Sequence, residues 1–316
     1  MQNNLIKLNG RYTINNNTYY FYNGGSGFSF KMKGEGFVAV LKGSYFYVII
    51  DRDYDKKIKI TSFNMRYFCY FNDNKEHLID IVKANEANDN TLCLTELNID
   101  GDLLPYDFKY DKKVKVYGDS TIAGFGILSH DGDPSIDVSD SVRDFCYHAL
   151  YELSMDMDIV SASGFGLAFS AYTNPKNVGI FDFIDNVSVS NSSKWKDNSK
   201  TDLLIISLGT NDNSYIEQDA LDKKEAISSF KAKYKALIDK ELALNSELKI
   251  LMVYGTLKEE TAYYLNEEVY KELKPLYKNL YIHKFNGDNT AISHHAYVDQ
   301  HDLMAEELKQ VIKSIF

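Results

Sequence analysis

The sequence predicts an α/β domain, a parallel sheet with helices on both faces, preceded by a separate all-β domain. Three observations predict this. Residues 1 to about 108 hold many short alternating segments separated by turn chemistry, with no good helix among them. From Val114 onward, apolar strands alternate with amphipathic helices, the pattern of a parallel sheet. Three of those strands end on or just before a glycine with polar neighbours, where open α/β sheets place their ligands. A chain of 316 residues also exceeds a single domain of roughly 100–200 residues. The division expected is 1–108 and 109–316, with Pro105 and the charged run Lys109–Lys113 at the junction.

The N-terminal strands expected are Tyr19–Tyr22, Phe28–Met32, Phe37–Leu41, Tyr45–Ile50, Ile58–Thr61, Tyr67–Tyr70, His77–Val82 and Leu92–Leu97. Turns such as Asn23-Gly24-Gly25 and Asn72-Asp73-Asn74 separate them. Short strands at this spacing indicate a sandwich or jelly roll. The C-terminal strands expected are Val114–Tyr117, Ile159–Ser161, Leu203–Leu208, Ile250–Tyr254 and Leu280–His283. Val142, Phe145, Cys146, Ala149, Leu150 and Leu153 share one helical face, in a helix expected to be capped by Asp140. Further helices are expected over Leu221–Leu244, Glu259–Leu273 and Asp302–Ile315, with an irregular loop over residues 171–200 near the site.

Composition narrows the function. A net charge of −10 and no basic stripe argue against a nucleic-acid partner. Cys69, Cys93 and Cys146 have no metal-ligand spacing and read as small apolar residues. Met1–Lys7 lacks a signal-peptide core, and no run approaches the ~18 apolar residues of a membrane span. A cytoplasmic location and no membrane partner are therefore expected, with secretion if a leader was removed. Composition leaves the oligomeric state open.

The candidate chemistry lies at the strand ends. Ser120, in Gly118-Asp119-Ser120, follows the first C-terminal strand, where a base could activate its hydroxyl and its N–H could serve an oxyanion. Gly164 follows the second strand, where a glycine lets backbone N–H approach a substrate oxygen. Asn211, in Gly209-Thr210-Asn211-Asp212, closes the third and can aim its amide into the cleft; Asp212 suits a turn or helix cap. His301, just before the last expected helix, is the expected general base, with Asp299 orienting its ring. His294 and His295 stand close enough in sequence to compete with it. The grouping of His294, His295, Asp299 and His301 lacks the helical spacing of a metal site, so no metal is expected. Trp195, Phe125, Phe165 and Tyr215 are candidates for an acyl pocket or a sugar platform, with core packing as the alternative for each.

Taken in order, the Ser, Gly, Asn and His blocks resemble those of the SGNH (GDSL-like) hydrolase superfamily. The resemblance implies a flavodoxin-like α/β/α fold. It also implies Ser120 as nucleophile, His301 as base, and Ser120 N–H, Gly164 N–H and Asn211 as the oxyanion hole. A β-domain ahead of such a hydrolase is similar to carbohydrate esterase family 2. Gly25–Phe30, Glu76–Lys83, Lys113–Gly126 and Ser193-Lys194-Trp195 carry that likeness. Many relatives follow the histidine with proline, where this chain has Asp302. Members of family 2 also differ in whether a carboxylate completes the triad. The resemblance implies a cofactor-free serine esterase that removes O-acetyl groups from carbohydrates. Rival expectations are a lipase or thioesterase acting on longer acyl chains, or a lectin-like protein with a relic site.

Overall fold

The computed structural model describes residues 5–316 apart from residues 198, 258–259 and 287–288. The N-terminal strands are β1 (Ile6–Asn9), β2 (Tyr12–Asn15), β3 (Thr18–Phe21), β4 (Gly27–Lys42), β5 (Phe46–Ile50), β6 (Ile58–Ile60), β7 (Asn64–Tyr70), β8 (Glu76–Lys83) and β9 (Leu92–Leu104). All pair antiparallel, in the order β2-β3-β9-β4-β8-β5-β6, with β1 and β7 also on β4. The long β4 makes this a sandwich. Its first half pairs with β1 and β8, its second with β7, and its register on β9 shifts at Gly34 between the halves. Phe21, Phe28, Phe30, Phe37 and Phe46 fill the interior, with Phe30 edge-on to Phe37 at 5.2 Å.

The C-terminal part holds β10 (Lys113–Gly118), α1 (Ser120–Ala123), α2 (Phe145–Glu152), β11 (Asp156–Ser161), a hairpin of β12 (Asn186–Ser188) and β13 (Asn191–Lys194), β14 (Leu203–Ser207), α3 (Thr210–Gln218), α4 (Lys223–Leu242), β15 (Lys249–Tyr254), α5 (Glu260–Leu273), β16 (Leu280–Lys284) and α6 (Val298–Ile315). The parallel sheet runs β11-β10-β14-β15-β16. Leu203 and Ile205 face the layer of α2 and α6, while Leu204 and Ile206 face the layer of α4 and α5. Both faces are covered, which is why β14 and β15 read as apolar runs, while β10 and β11 carry buried charges at Lys115 and Asp158 that pair with Glu241 and Arg11. Among the described residues, no helix is long and apolar enough to cross a membrane.

Helix ends differ from the sequence expectation. Asp144, not Asp140, caps α2, accepting from the N–H groups of Cys146 and Tyr147. Asp140 instead binds the N–H groups of Val142 and Arg143 and the hydroxyl of Tyr47. The expected first residue of the third helix, Glu259, lies outside the described residues, as do residues 1–4. Most consequential, α6 starts at Val298, so His301 lies inside its first turn.

The two parts share a core. Tyr45, Tyr47, Ile49, Tyr54, Val82 and Ala84 of the sandwich pack with Val114, Phe145, Tyr147 and Tyr151 of the α/β part. Arg11, 1% exposed, crosses the junction to the Asp158 carboxylate at 2.9 Å and to the carbonyls of Ile184 and Asn186.

Candidate active site

Register brings the site together. Gly118, the last residue of β10, pairs with Ser161 of β11 on one side and Ser207 of β14 on the other. The three chain segments leaving this edge carry Ser120, Gly164 and Asn211, all of which line one cleft of about 760 Å³. A side chain at Gly118 would put its Cβ 2.3 Å from Ile122, so only glycine lets the chain turn tightly into α1. Asp119 caps that helix, its carboxylate accepting from Thr121 N–H at 3.0 Å.

His295 faces Ser120. Its Nε2 lies 2.7 Å from Ser120 Oγ, and its Nδ1 lies 3.0 Å from the carbonyl oxygen of Ile292. A carbonyl can only accept, so Nδ1 carries the proton and Nε2 presents its lone pair to the serine hydroxyl. Burial disfavours the imidazolium and lowers the His295 pKa to about 4. Ser293 and His294, just before it, have φ of 54° and 63°. Left-handed backbone at two successive non-glycine residues is costly and is typical of functional loops. Here it directs His295 into the cleft, where the Phe125 ring sits 5.2 Å from the imidazole.

The expected base is corrected by this geometry. His301 has no exposed surface, and its Nδ1 accepts from Phe145 N–H at 3.1 Å, so the ring is turned to α2 rather than to Ser120. Burial lowers its pKa to about 3. Asp299 does not orient a histidine either. It is exposed, and its carboxylate accepts from Gln300 N–H. The Ile292 carbonyl occupies the orienting position expected of Asp299. The signal for His295 was present in its neighbour-to-neighbour competition with His301, and the early start of α6 decides between them.

Gly164 has φ of 81°, and a Cβ there would lie 3.3 Å from Thr173. Asn211, 5% exposed, donates through Nδ2 to the Phe165 carbonyl at 3.1 Å. Asp212, read as a turn or cap residue, does something else. Its buried carboxylate accepts from the N–H groups of Leu167, Ala168 and Phe169 at 2.7, 2.7 and 3.0 Å, tying α3 to the turn after Gly164. Burial raises the Asp119 and Asp212 pKa values to about 6 each.

Of the aromatic candidates, Phe125 lines the cleft. Trp195 does not: it lies edge-on to Tyr12 at 5.3 Å, beside a different crevice formed with Lys7 and Asp156. Phe165 packs on Phe183 and Tyr215 stacks on Phe169, so both belong to packing. Tyr172 was missed, and it is 75% exposed on the cleft lining. Only the general expectation that residues 171–200 lie near the site pointed there. Among the described residues, no group of three His, Cys, Asp or Glu side chains is placed to hold a metal ion.

Comparison with known proteins gives the family and the fold. Residues 8–106 match the family described as carbohydrate esterase 2 N-terminal, and residues 116–307 match GDSL-like lipase/acylhydrolase. No curated protein gives a significant match. Among solved structures, a family two carbohydrate esterase from Clostridium thermocellum, in complex with cellohexaose, superposes with a TM-score of 0.85 at 20% identity, covering 98% of each chain. One from Cellvibrio japonicus gives 0.82 at 22% identity, covering 99% of this chain and 96% of that one. An acetyl xylan esterase from Butyrivibrio proteoclasticus gives 0.84 at 15% identity, covering 99% and 96%. These likenesses establish a shared fold along nearly the whole chain. With more than half its length matched to the family and a serine–histidine pair in the cleft, the chain belongs to the GDSL-like lipase/acylhydrolases and is a carboxylic ester hydrolase.

Proposed function

We propose that the protein removes O-acetyl groups from carbohydrates, with Ser120 as nucleophile and His295 as general base. One observation carries the reading: His295 Nε2 lies 2.7 Å from Ser120 Oγ, in the tautomer that accepts a proton. As Oγ attacks the acetyl carbonyl, Nε2 takes its proton. In this reading the carbonyl oxygen becomes an oxyanion held by the Ser120 and Gly164 N–H groups and the second N–H of Asn211 Nδ2, all three residues lining the same cleft. Such a donor is typically worth about 2.7–4 kcal/mol in the transition state. The bond from acetyl carbon to sugar oxygen then breaks, and His295 gives its proton to that oxygen, which leaves as the free hydroxyl. A water, deprotonated by the same nitrogen, releases acetate and restores Ser120. The sequence of steps needs no cofactor.

The sugar half of the reading rests on the N-terminal match, on the carbohydrate-bound relative, and on Tyr172, whose exposed ring offers a stacking face at the cleft. Acetate release from a panel of acetylated glycans, with Ser120→Ala as control, tests it. The expected result is release abolished in the variant. A series of p-nitrophenyl esters peaking at octanoate rather than acetate would favour the long-chain alternative. Unchanged acetyl-ester turnover in Ser120→Ala would exclude the assigned nucleophile.

A further inference from the structure

The loop between β8 and β9 leaves the sandwich and lies against the catalytic part. Its Glu86 is 5% exposed, and its carboxylate accepts from the backbone N–H of Ser163 at 2.8 Å. Ser163 and Gly164 both line the cleft that contains Ser120. The loop is itself pinned. Lys83, wholly buried, donates through Nζ to the carbonyls of Asn85 and Glu86. Asn85 donates to the Ile136 carbonyl at 3.1 Å and accepts from Tyr45 N–H at 3.2 Å. On its other side, the Ala84 carbonyl accepts from Ser141 N–H, and Ser141 Oγ donates to the Ala123 carbonyl in α1. One loop of the N-terminal domain therefore reaches the nucleophile's helix and the turn that carries Gly164.

We propose that Glu86 is a positioning residue, a carboxylate lent by the N-terminal domain that fixes the Ser163–Gly164 turn and so aims the Gly164 N–H at the transition-state oxyanion. The inference rests on the esterase reading above. Gly164 sits in left-handed backbone and, as a glycine, has little intrinsic preference for one orientation. A charge-assisted hydrogen bond on the adjacent residue supplies the orientation that the glycine lacks. An oxyanion donor acts on the transition state, so its misplacement lowers kcat while leaving KM nearly unchanged.

The test compares Glu86→Met, which keeps the bulk but removes the acceptor, with Glu86→Gln, which keeps an acceptor. Turnover of a short acyl ester is measured in the full chain, alongside affinity for a small alkylboronic acid that forms a tetrahedral adduct on serine. The Met variant is expected to lose about tenfold to a hundredfold in kcat with KM nearly constant, and to lose boronate affinity in parallel. The Gln variant is expected to stay within about threefold of wild type in kcat. Wild-type kcat in the Met variant, a loss confined to KM, or an equal loss in the Gln variant would overturn the assignment. If the Met variant does not fold, amide exchange at Ser163 in the wild-type protein decides: protection supports the contact, and exchange at the rate of a free loop overturns it. Wild-type protein that turns over no acyl ester would instead sink the esterase reading itself.

Discussion

His295 stays neutral because burial penalises the imidazolium, which draws its pKa down to about 4. The sign of the consequence follows directly. A lowered pKa means the lone pair on Nε2 survives to lower pH, so the acid limb of kcat/KM is expected near pH 4, well below the usual histidine range near 6.5. A pH–rate profile measured on the free enzyme checks this, and an acid limb near 6.5 would contradict it. His301 has a different task. Replacing it by Leu leaves the buried Phe145 N–H without an acceptor, which is expected to cost about 1–3 kcal/mol of stability. Thermal unfolding should register that loss while kcat stays close to wild type. The place of Ser120, Gly164 and Asn211 along one cleft was legible in the sequence because each follows a strand closely. The choice of histidine was not, because it turns on where α6 begins. A start at Asp302 would have left His301 in the loop, whereas the observed start at Val298 turns it toward α2.

At the scale of elements, β14 and β15 were the most readable strands of the parallel sheet, because both faces are buried and each is an apolar run. The turns between them were less so, because tertiary contacts hold them. The turn after Gly164 is organised by the Asp212 carboxylate, which gathers three backbone N–H groups from residues distant in sequence. Asp212→Ala is expected to lower stability by about 1–3 kcal/mol for each N–H left unsatisfied and to reduce kcat through the Gly164 turn. Differential scanning fluorimetry and steady-state kinetics on the same preparation check both parts. A variant with wild-type stability would show that water or another acceptor serves those groups equally well. β1 and β2 escaped the sequence reading for a simpler reason. Each is only four residues long, too short for its apolar–polar alternation to stand out from the surrounding chain.

At the scale of the whole molecule, the division into two parts by pattern does not imply two independent cores. Tyrosines of the sandwich pack on α2 and the parallel sheet, and Arg11 joins Asp158 across the junction with almost no exposure. Unfolding is therefore expected to be one cooperative transition by calorimetry, and two separated transitions would contradict the shared core. Arg11→Met strands the Asp158 carboxylate in the interior and is expected to cost about 3–5 kcal/mol. Chemical denaturation measures the difference. This long-range pairing was invisible in the sequence, since its partners are far apart and each is an ordinary charged residue in its own neighbourhood.

The most direct test of the central claim is the kcat for acetate release from an acetylated glycan by the wild-type protein and by His295→Ala. A serine activated by this imidazole predicts a fall of about 10⁴-fold or more in the folded variant, the residue of activity coming from oxyanion donors and binding alone. A folded His295→Ala protein that still turns over acetyl esters within about tenfold of wild type would contradict the account.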